Sequence, residues 1–358
     1  MVIQKKVFFV AAIGVSTLWL LFLFSGFGSP VWGQNLSSYG GQRSHEDNEG
    51  LGASNRWIHP QPLEVLTEIP LSSDEVAGSD LLRTTLPNVL ILSPMKQVKD
   101  HISRYFTLLH SLSYPKNSIS LGFLVSDSPD GTYECVRDHF VERKLSITNH
   151  TEKYRDVTLV HQNFNYNPGN SWLDTHAMRY QIQRRRVLAK SRNYLLFSAL
   201  RPHHDWVLWI DSDISEYSPS LIEDLLVFTG PDKHIIVPNS FWRDEEGEEH
   251  PYDRNSWRET EESTKFLERT QEVVVFEGYP AYSTGRISLG NLRGSNESIV
   301  KLDSVGGTVL LVRARLHREG LVFMPVPFQK AIETEALGKL ALALGYQPWG
   351  LPNYITLH

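Results

Sequence analysis

Short uninterrupted apolar runs alternate along the chain with stretches of helical periodicity. Asn88–Leu92, Ile119–Val125, Val157–His161 and Trp206–Ile210 read as buried strands. Val98–Ser111 and about Met178–Leu200 read as helices, and a third helix begins at Ser218-Pro219. Further strands are predicted at Ile235–Pro238, Val273–Phe276 and Thr308–Val312, and a helix opens at Glu333 and ends near Leu344, with Gly345 as its cap. Strand and helix alternating on this scale predict an α/β domain, a mostly parallel sheet between helices in a Rossmann-like three-layer arrangement. The acidic run Asp244, Glu245, Glu246, Glu248 and Glu249 reads as a solvated surface.

Hydropathy divides the rest of the chain. Val7 to Phe24 is uncharged and apolar over about the length that crosses a bilayer, and Lys5 and Lys6 precede it. The expected order is a cytosolic tail over 1–6, a transmembrane signal anchor over 7–28, a lumenal stem over 29–87 and a folded domain over 88–358. The stem assignment follows from the Gly, Ser, Asn and charged composition after Gln34. Sequons at Asn35, Asn149 and Asn296 fit a lumenal location, and the single cysteine, Cys135, excludes an intrachain disulfide. A net charge of −6 without a long basic run argues against nucleic acid as a partner. Basic residues are instead concentrated at Arg184-Arg185-Arg186, Lys190 and Arg192.

The chemistry begins at Asp211-Ser212-Asp213, directly after the Trp206–Ile210 run. Two carboxylates delivered to the C-terminal edge of a buried strand can share a hard divalent cation, which in turn neutralises a diphosphate leaving group. The same triplet also serves as a simple turn or cap. On the preceding helix Arg185 and Arg192 share one face, and Arg186, Lys190 and Asn193 share another. These cations form either a diphosphate clamp or a solvated surface. Two glycines in Asp303-Ser304-Val305-Gly306-Gly307-Thr308 permit close backbone approach before a strand, or a tight turn. Glu333 and Glu335 either complement a helix dipole or place a carboxylate over a reacting sugar.

Ordered motifs then accumulate along one half of the domain and the other: Asn88–Lys96, Leu121–Asp127, Arg184–Asn193, Asp205–Asp213, Ile236–Asn239, Pro251–Trp257, Glu277-Gly278-Tyr279, Asp303–Gly307, Glu333-Thr334-Glu335 and Gly350–Tyr354. In this order they resemble the fungal mannan-polymerase subunits of glycosyltransferase family 62. The resemblance implies a GT-A type nucleotide-sugar transferase on a type II Golgi anchor, moving mannose from GDP-mannose to an α-1,6-mannan backbone with retention and with Mn2+. It implies that Asp211, Asp213 and His358 hold the metal. Lys96 and Asp127 would lie near the nucleoside, Arg185, Lys190 and Arg192 near the diphosphate, and Asp253, Glu333 and Glu335 toward the reacting sugar. The implied partners are homologous subunits in a hetero-oligomer and a mannan glycoprotein acceptor. Family members continue past the matching histidine, so His358 is expected on a frayed end beside its own carboxylate. A catalytically silent scaffolding subunit is the alternative which that expectation motivates.

Overall fold

Trp206–Ile210 is buried at every position, and so is Ile119–Val125, so both runs form inner strands rather than half-exposed ones. The structure is a computed structural model and describes residues 64–68, 86–146, 153–166, 178–278 and 283–358. These belong to one compact unit, Ile58–His358. The anchor expected over 7–28 lies outside the described residues; among those described, no helix is long and apolar enough to cross a membrane.

The strands are β1 (Glu64–Glu68), β2 (Val89–Met95), β3 (Ile119–Val125), β4 (Asp156–His161), β5 (Trp206–Ile210), β6 (Ile235–Arg243), β7 (Glu249–Pro251), β8 (Trp257–Arg258), β9 (Ile287–Ser288), β10 (Val300–Lys301), β11 (Val309–Arg313), β12 (Met324–Phe328), β13 (Ala331–Ile332) and β14 (Pro348–Leu357). The helices are α1 (Ile102–Ser111), α2 (Thr132–Ser146), α3 (Met178–Ala199), α4 (Leu221–Val227), α5 (Glu261–Arg269), α6 (Ala314–Arg318) and α7 (Glu333–Ala343). One 10-stranded sheet runs β1-β4-β3-β2-β5-β11-β6-β14-β10, with β7 paired to β6.

The expected parallel sheet holds for β4, β3, β2 and β5. Beyond β5 the sheet is mixed, because β11 enters antiparallel to both β5 and β6. The sequence offered no sign of that reversal, since an apolar strand carries no record of its direction. One further strand expectation fails. Val273–Phe276 is irregular; it packs Val274 and Phe276 against Ile332 and donates Val275 N–H to the Lys330 carbonyl, so its apolar residues serve a satellite core. Glu64–Glu68, inside the stretch read as stem, pairs antiparallel with β4 as an edge strand.

Side-chain alternation sorts the strands between two layers. Ile91, Phe123, Leu208 and Ile210 pack beneath α1, α2 and α4 with Phe106, Phe140 and Leu221. Leu92, Leu124, Val207 and Trp209 face α3 and α7 with Leu195, Leu196 and Leu337. Gly122 lets α3 sit close on the sheet: a Cβ there would fall 2.5 Å from Leu92 Cδ2 and 3.0 Å from Ala199 Cβ. With β2, β3 and β5 parallel, their C-terminal ends share one edge, and Lys96, Asp127 and Asp211 all emerge there.

Two buried histidines set an acid limit on this core. His317 is 2% exposed, donates Nδ1–H to the Leu321 carbonyl at 2.7 Å and meets Trp209 edge to face. Burial lowers it from the usual 6.5 to about 4, and burial lowers His204 to about 3. Between pH 6.5 and 4 the unfolded chain therefore binds protons that the native state refuses, and stability falls as pH falls. His317 alone should remove about 2 kcal/mol between pH 7 and pH 5. Urea denaturation across that range should show a shallower decline for His317→Phe than for the parent protein; equal slopes would refute the assignment.

Candidate functional site

The turn after β5 is held on three sides. Ser93 Oγ donates to the Ile210 carbonyl at 2.6 Å, Asp211 N–H donates to the Thr308 carbonyl at 2.9 Å, and Arg104 Nη2 reaches the Asp213 carbonyl at 3.2 Å. The Asp211 and Asp213 carboxylates thereby enter a cleft of about 950 Å3 between the sheet edge, α3 and the start of α7.

His358 enters the same cleft, and its end of the chain is not frayed. β14 runs parallel to β6, with Leu357 opposite Phe241, and His358 N–H continues the ladder to the Phe241 carbonyl at 2.7 Å. Leu357 also exchanges backbone hydrogen bonds with Glu216, three residues beyond Asp213. Prolines 348 and 352 disguise this strand in the sequence; the ladder tolerates them through an irregularity between Leu351 and Ile355, where Asn239 Nδ2 binds the Pro352 carbonyl at 2.8 Å. The imidazole stacks on Tyr252 at 3.6 Å, with an angle of 13° between the rings.

His358 Nε2 lies 3.0 Å from Asp213 Oδ2, yet it is buried without a well-aligned hydrogen bond. Two carboxylates with one imidazole form a donor set suited to Mn2+. These three residues line one cleft and carry the donor chemistry for the metal, but among the described residues their ligand atoms do not all lie within 4.8 Å of one another. A different set, Asp156, His203 and His204, brings its ligand atoms within 4.8 Å of one another among the described residues. It fits a cation poorly. His204 Nδ1 accepts the Arg201 N–H at 3.0 Å, which leaves its proton on Nε2, and the positive charges of Arg155 and Arg201 bear on both histidines.

Arg192 spans the cleft floor. Its Nη2 binds Asp211 Oδ1 and its Nε binds Glu333 Oε1, each at 2.9 Å. Nη1 is buried with no partner among the described residues. Burial acts to lower the guanidinium, but Asp211 and Glu333 outweigh it and hold it above its usual value. Burial raises Asp211 to about 6 against the pull of Arg192, with the Asp213 charge adding to the rise. The Asp211 side chain keeps 28% exposure, so cleft water tempers that effect. Burial also opposes ionisation of Asp213, but His358 wins and holds it low. Glu333 is fixed at φ 61°, a left-handed conformation that non-glycine residues rarely adopt, and Thr334 Oγ1 donates to its second oxygen.

The two glycines before β11 act as cradles. A Cβ on Gly306 would stand 1.5 Å from Asp253 Oδ2, and one on Gly307 would stand 2.7 Å from Arg192 Nη2. Asp253 therefore lies directly on Gly306, accepts the Asn255 N–H at 2.9 Å, and is raised by burial. Arg185 turns to Glu335 Oε2 at 3.1 Å and to Asn255 at 3.0 Å, over the Phe276 ring.

The expected site residues thus separate into groups. Asp211, Asp213, His358, Arg185, Arg192, Asp253 and Glu333 line the cleft together. Glu335 stands behind Arg185, fully buried and raised by that burial, away from the lining. Lys190 is exposed and outside the cleft; it lies two positions from Arg192 and so falls on another side of α3. Asp127 adopts φ 46° and accepts backbone N–H groups from Phe164 and Asn165, while Lys96 donates to the Tyr166 carbonyl at 2.7 Å. Burial lowers Lys96, and the charges of Asp127 and Arg184 both reach it, so this pair adjoins the Arg184 side of the cleft without lining it.

Arg184, Tyr252, Arg254, Asn255 and Glu277 line the cleft without having been singled out as site residues. Arg184 and Arg185 are neighbours in sequence, and only the direction of α3 distinguishes an arginine committed to Glu335 from one with no hydrogen-bond partner among the described residues.

Residues 74–327 match the Anp1 family, and the chain belongs to it. It is 35% identical over 276 residues to the mannan polymerase II complex anp1 subunit of Schizosaccharomyces pombe, covering 75% of this chain and 63% of the relative. Identity is also 35%, over 277 residues, to the mannan polymerase II complex ANP1 subunit of Saccharomyces cerevisiae, covering 75% and 54%. The chain thus spans less than two thirds of either relative. The mannan polymerase complex subunit mnn9 of Schizosaccharomyces pombe is 33% identical over 327 residues, covering 88% of this chain and 90% of that one. Among solved structures, the mannosyltransferase PcManGT from Pyrobaculum calidifontis, in complex with GDP-Man and Mn2+, superposes with a TM-score of 0.44 at 14% identity over 77% of this chain and 57% of that chain.

The Gly306 cradle generates a stability test. Gly306→Ala must displace the Asp253 carboxylate and should cost about 1–3 kcal/mol. Gly230→Ala, with nothing within 4 Å of the added carbon, should be neutral or slightly stabilising. Parallel denaturation midpoints check the pair, and equal midpoints would contradict the cradle.

Proposed function

We propose that this protein is a GT-A type glycosyltransferase that moves mannose from GDP-mannose to an α-1,6-linked mannan chain with retention, as a Golgi type II membrane protein assembled with homologous subunits. The observation that carries the reading is the meeting of Asp211, Asp213 and His358 with Arg184 and Arg192 in one cleft at the C-terminal edge of the parallel strands. The relatives' names supply the mannan, and the donor set supplies the case for a nucleoside diphosphate.

A divalent cation at Asp211, Asp213 and His358 would supply neutralisation of the diphosphate charge as the glycosidic bond breaks. Arg192 presents its Nη1, unpartnered among the described residues, and Arg184 its guanidinium, without a hydrogen bond among the described residues, as donors for the phosphate oxygens. Because Arg192 is already tied to Asp211 and Glu333, little reorganisation accompanies binding. Asp253, fixed on Gly306, orients the donor sugar through its hydroxyls. Glu335 holds Arg185 in place from behind, as a positioning residue. Attack from the leaving-group face needs no protein nucleophile when the departing diphosphate is held this firmly. The pairing of β14 with β6 carries His358 into the sheet, which favours an active transferase over a catalytically weak or silent scaffolding subunit.

The full chain should add hexoses to α-1,6-mannobiose in the presence of GDP-mannose and Mn2+, read by mass, and chelator should abolish the gain. Asp211→Ala and Asp213→Ala should each lower the rate at least about 100-fold with the fold retained. Arg184→Ala should raise the donor KM about tenfold and Lys190→Ala should leave it unchanged. Undiminished turnover in either aspartate variant would overturn the site.

A further inference from the structure

One family motif remains without a role, Glu277-Gly278. Glu277 lines the cleft, and three features aim it there. Arg286 Nη1 donates to Oε1 at 2.9 Å and Thr284 Oγ1 donates to Oε2 at 3.1 Å, so each oxygen keeps acceptor capacity to spare. Gly278 follows at φ 80°, and the Arg254 side chain fills the space a Cβ would take, only 2.5 Å away. The chain therefore turns sharply at this point and leaves the carboxylate at the wall.

The support behind it is rigid. Arg286 is 1% exposed, chelates Glu259 through Nε and Nη2 at 3.2 Å each, and lies 3.6 Å over the Trp257 ring. Lys339 binds the same Glu259 at 2.8 Å. Trp257 Nε1 in turn donates to Glu335 at 3.2 Å. Glu259 is shared between Arg286 and Lys339, so Glu277 also balances charge in this network, while its own side chain faces the cleft. Glu335, the other acid of this network, does not reach the cleft.

We infer that Glu277 is the carboxylate that binds the acceptor, accepting a hydrogen bond from a hydroxyl of an α-linked mannose oligosaccharide. This rests on the transferase reading above. A sugar hydroxyl is a neutral donor, and an acceptor-only carboxylate with fixed orientation selects it while repelling a second phosphate. Arg286 and Thr284 are positioning residues for that contact.

The test is titration of the full chain with GDP and Mn2+, then with α-1,6-mannotriose, by calorimetry. Glu277→Gln removes the charge, and Glu277→Asp keeps the charge for Arg286 but withdraws it by one methylene. Both variants should weaken mannotriose at least tenfold, with GDP affinity within twofold of the parent. Mannotriose binding unchanged in both variants overturns the inference. So does a loss of GDP and mannotriose affinity in parallel, which would make Glu277 purely structural. Failure of the parent protein to bind GDP would instead overturn the transferase reading on which the inference stands.

Discussion

A buried guanidinium dictates how this cleft is built. Arg192 is 5% exposed at its side chain and packs against the Trp209 and Phe323 rings, so its charge must be answered locally. Asp211 from the β5 turn and Glu333 from the start of α7 answer it, which ties together three elements far apart in the chain. Removing either acid leaves a buried charge half-paired. Around that bridge other features become necessary. Gly307 makes room for Nη2, and Glu333 is driven into a left-handed backbone conformation to present its carboxylate. The structure invests strain and buried charge at one point, which is the usual sign of a preorganised site.

The second constraint is the final strand. A histidine at the end of a chain is ordinarily mobile, but β14 extends the sheet to Leu357, and Tyr252 stacks on the ring. The same segment pairs with Glu216, so His358 and the aspartates are referenced to one another through backbone hydrogen bonds rather than through side chains alone.

How much of this was legible beforehand depended on the kind of signal. The inner strands were plain, because continuous burial writes an uninterrupted apolar run, and β3 and β5 fall where the pattern puts them. The direction of β11 was hidden, since antiparallel insertion between buried strands changes no side-chain preference. β14 was hidden by its prolines. In the site, the Asp211 and Asp213 pair was visible because it follows a strand. The seven-residue and four-residue spacings on α3 defined helix faces without saying which one meets the cleft, and Lys190, placed by resemblance, stands on a face outside it. Glu277 stood in a recognisable motif, but nothing local gave it a role, because its orientation depends on Arg286 and on a turn at Gly278.

The central claim is that Asp211, Asp213 and His358 hold one divalent cation against a diphosphate. Anomalous diffraction at the manganese edge, on crystals of the protein soaked with Mn2+ and GDP, tests it most directly. The account predicts a single strong peak in contact with all three residues, with the diphosphate bridging from it to Arg192 and Arg184. A cleft without manganese, or manganese found instead at Asp156, His203 and His204, would contradict it.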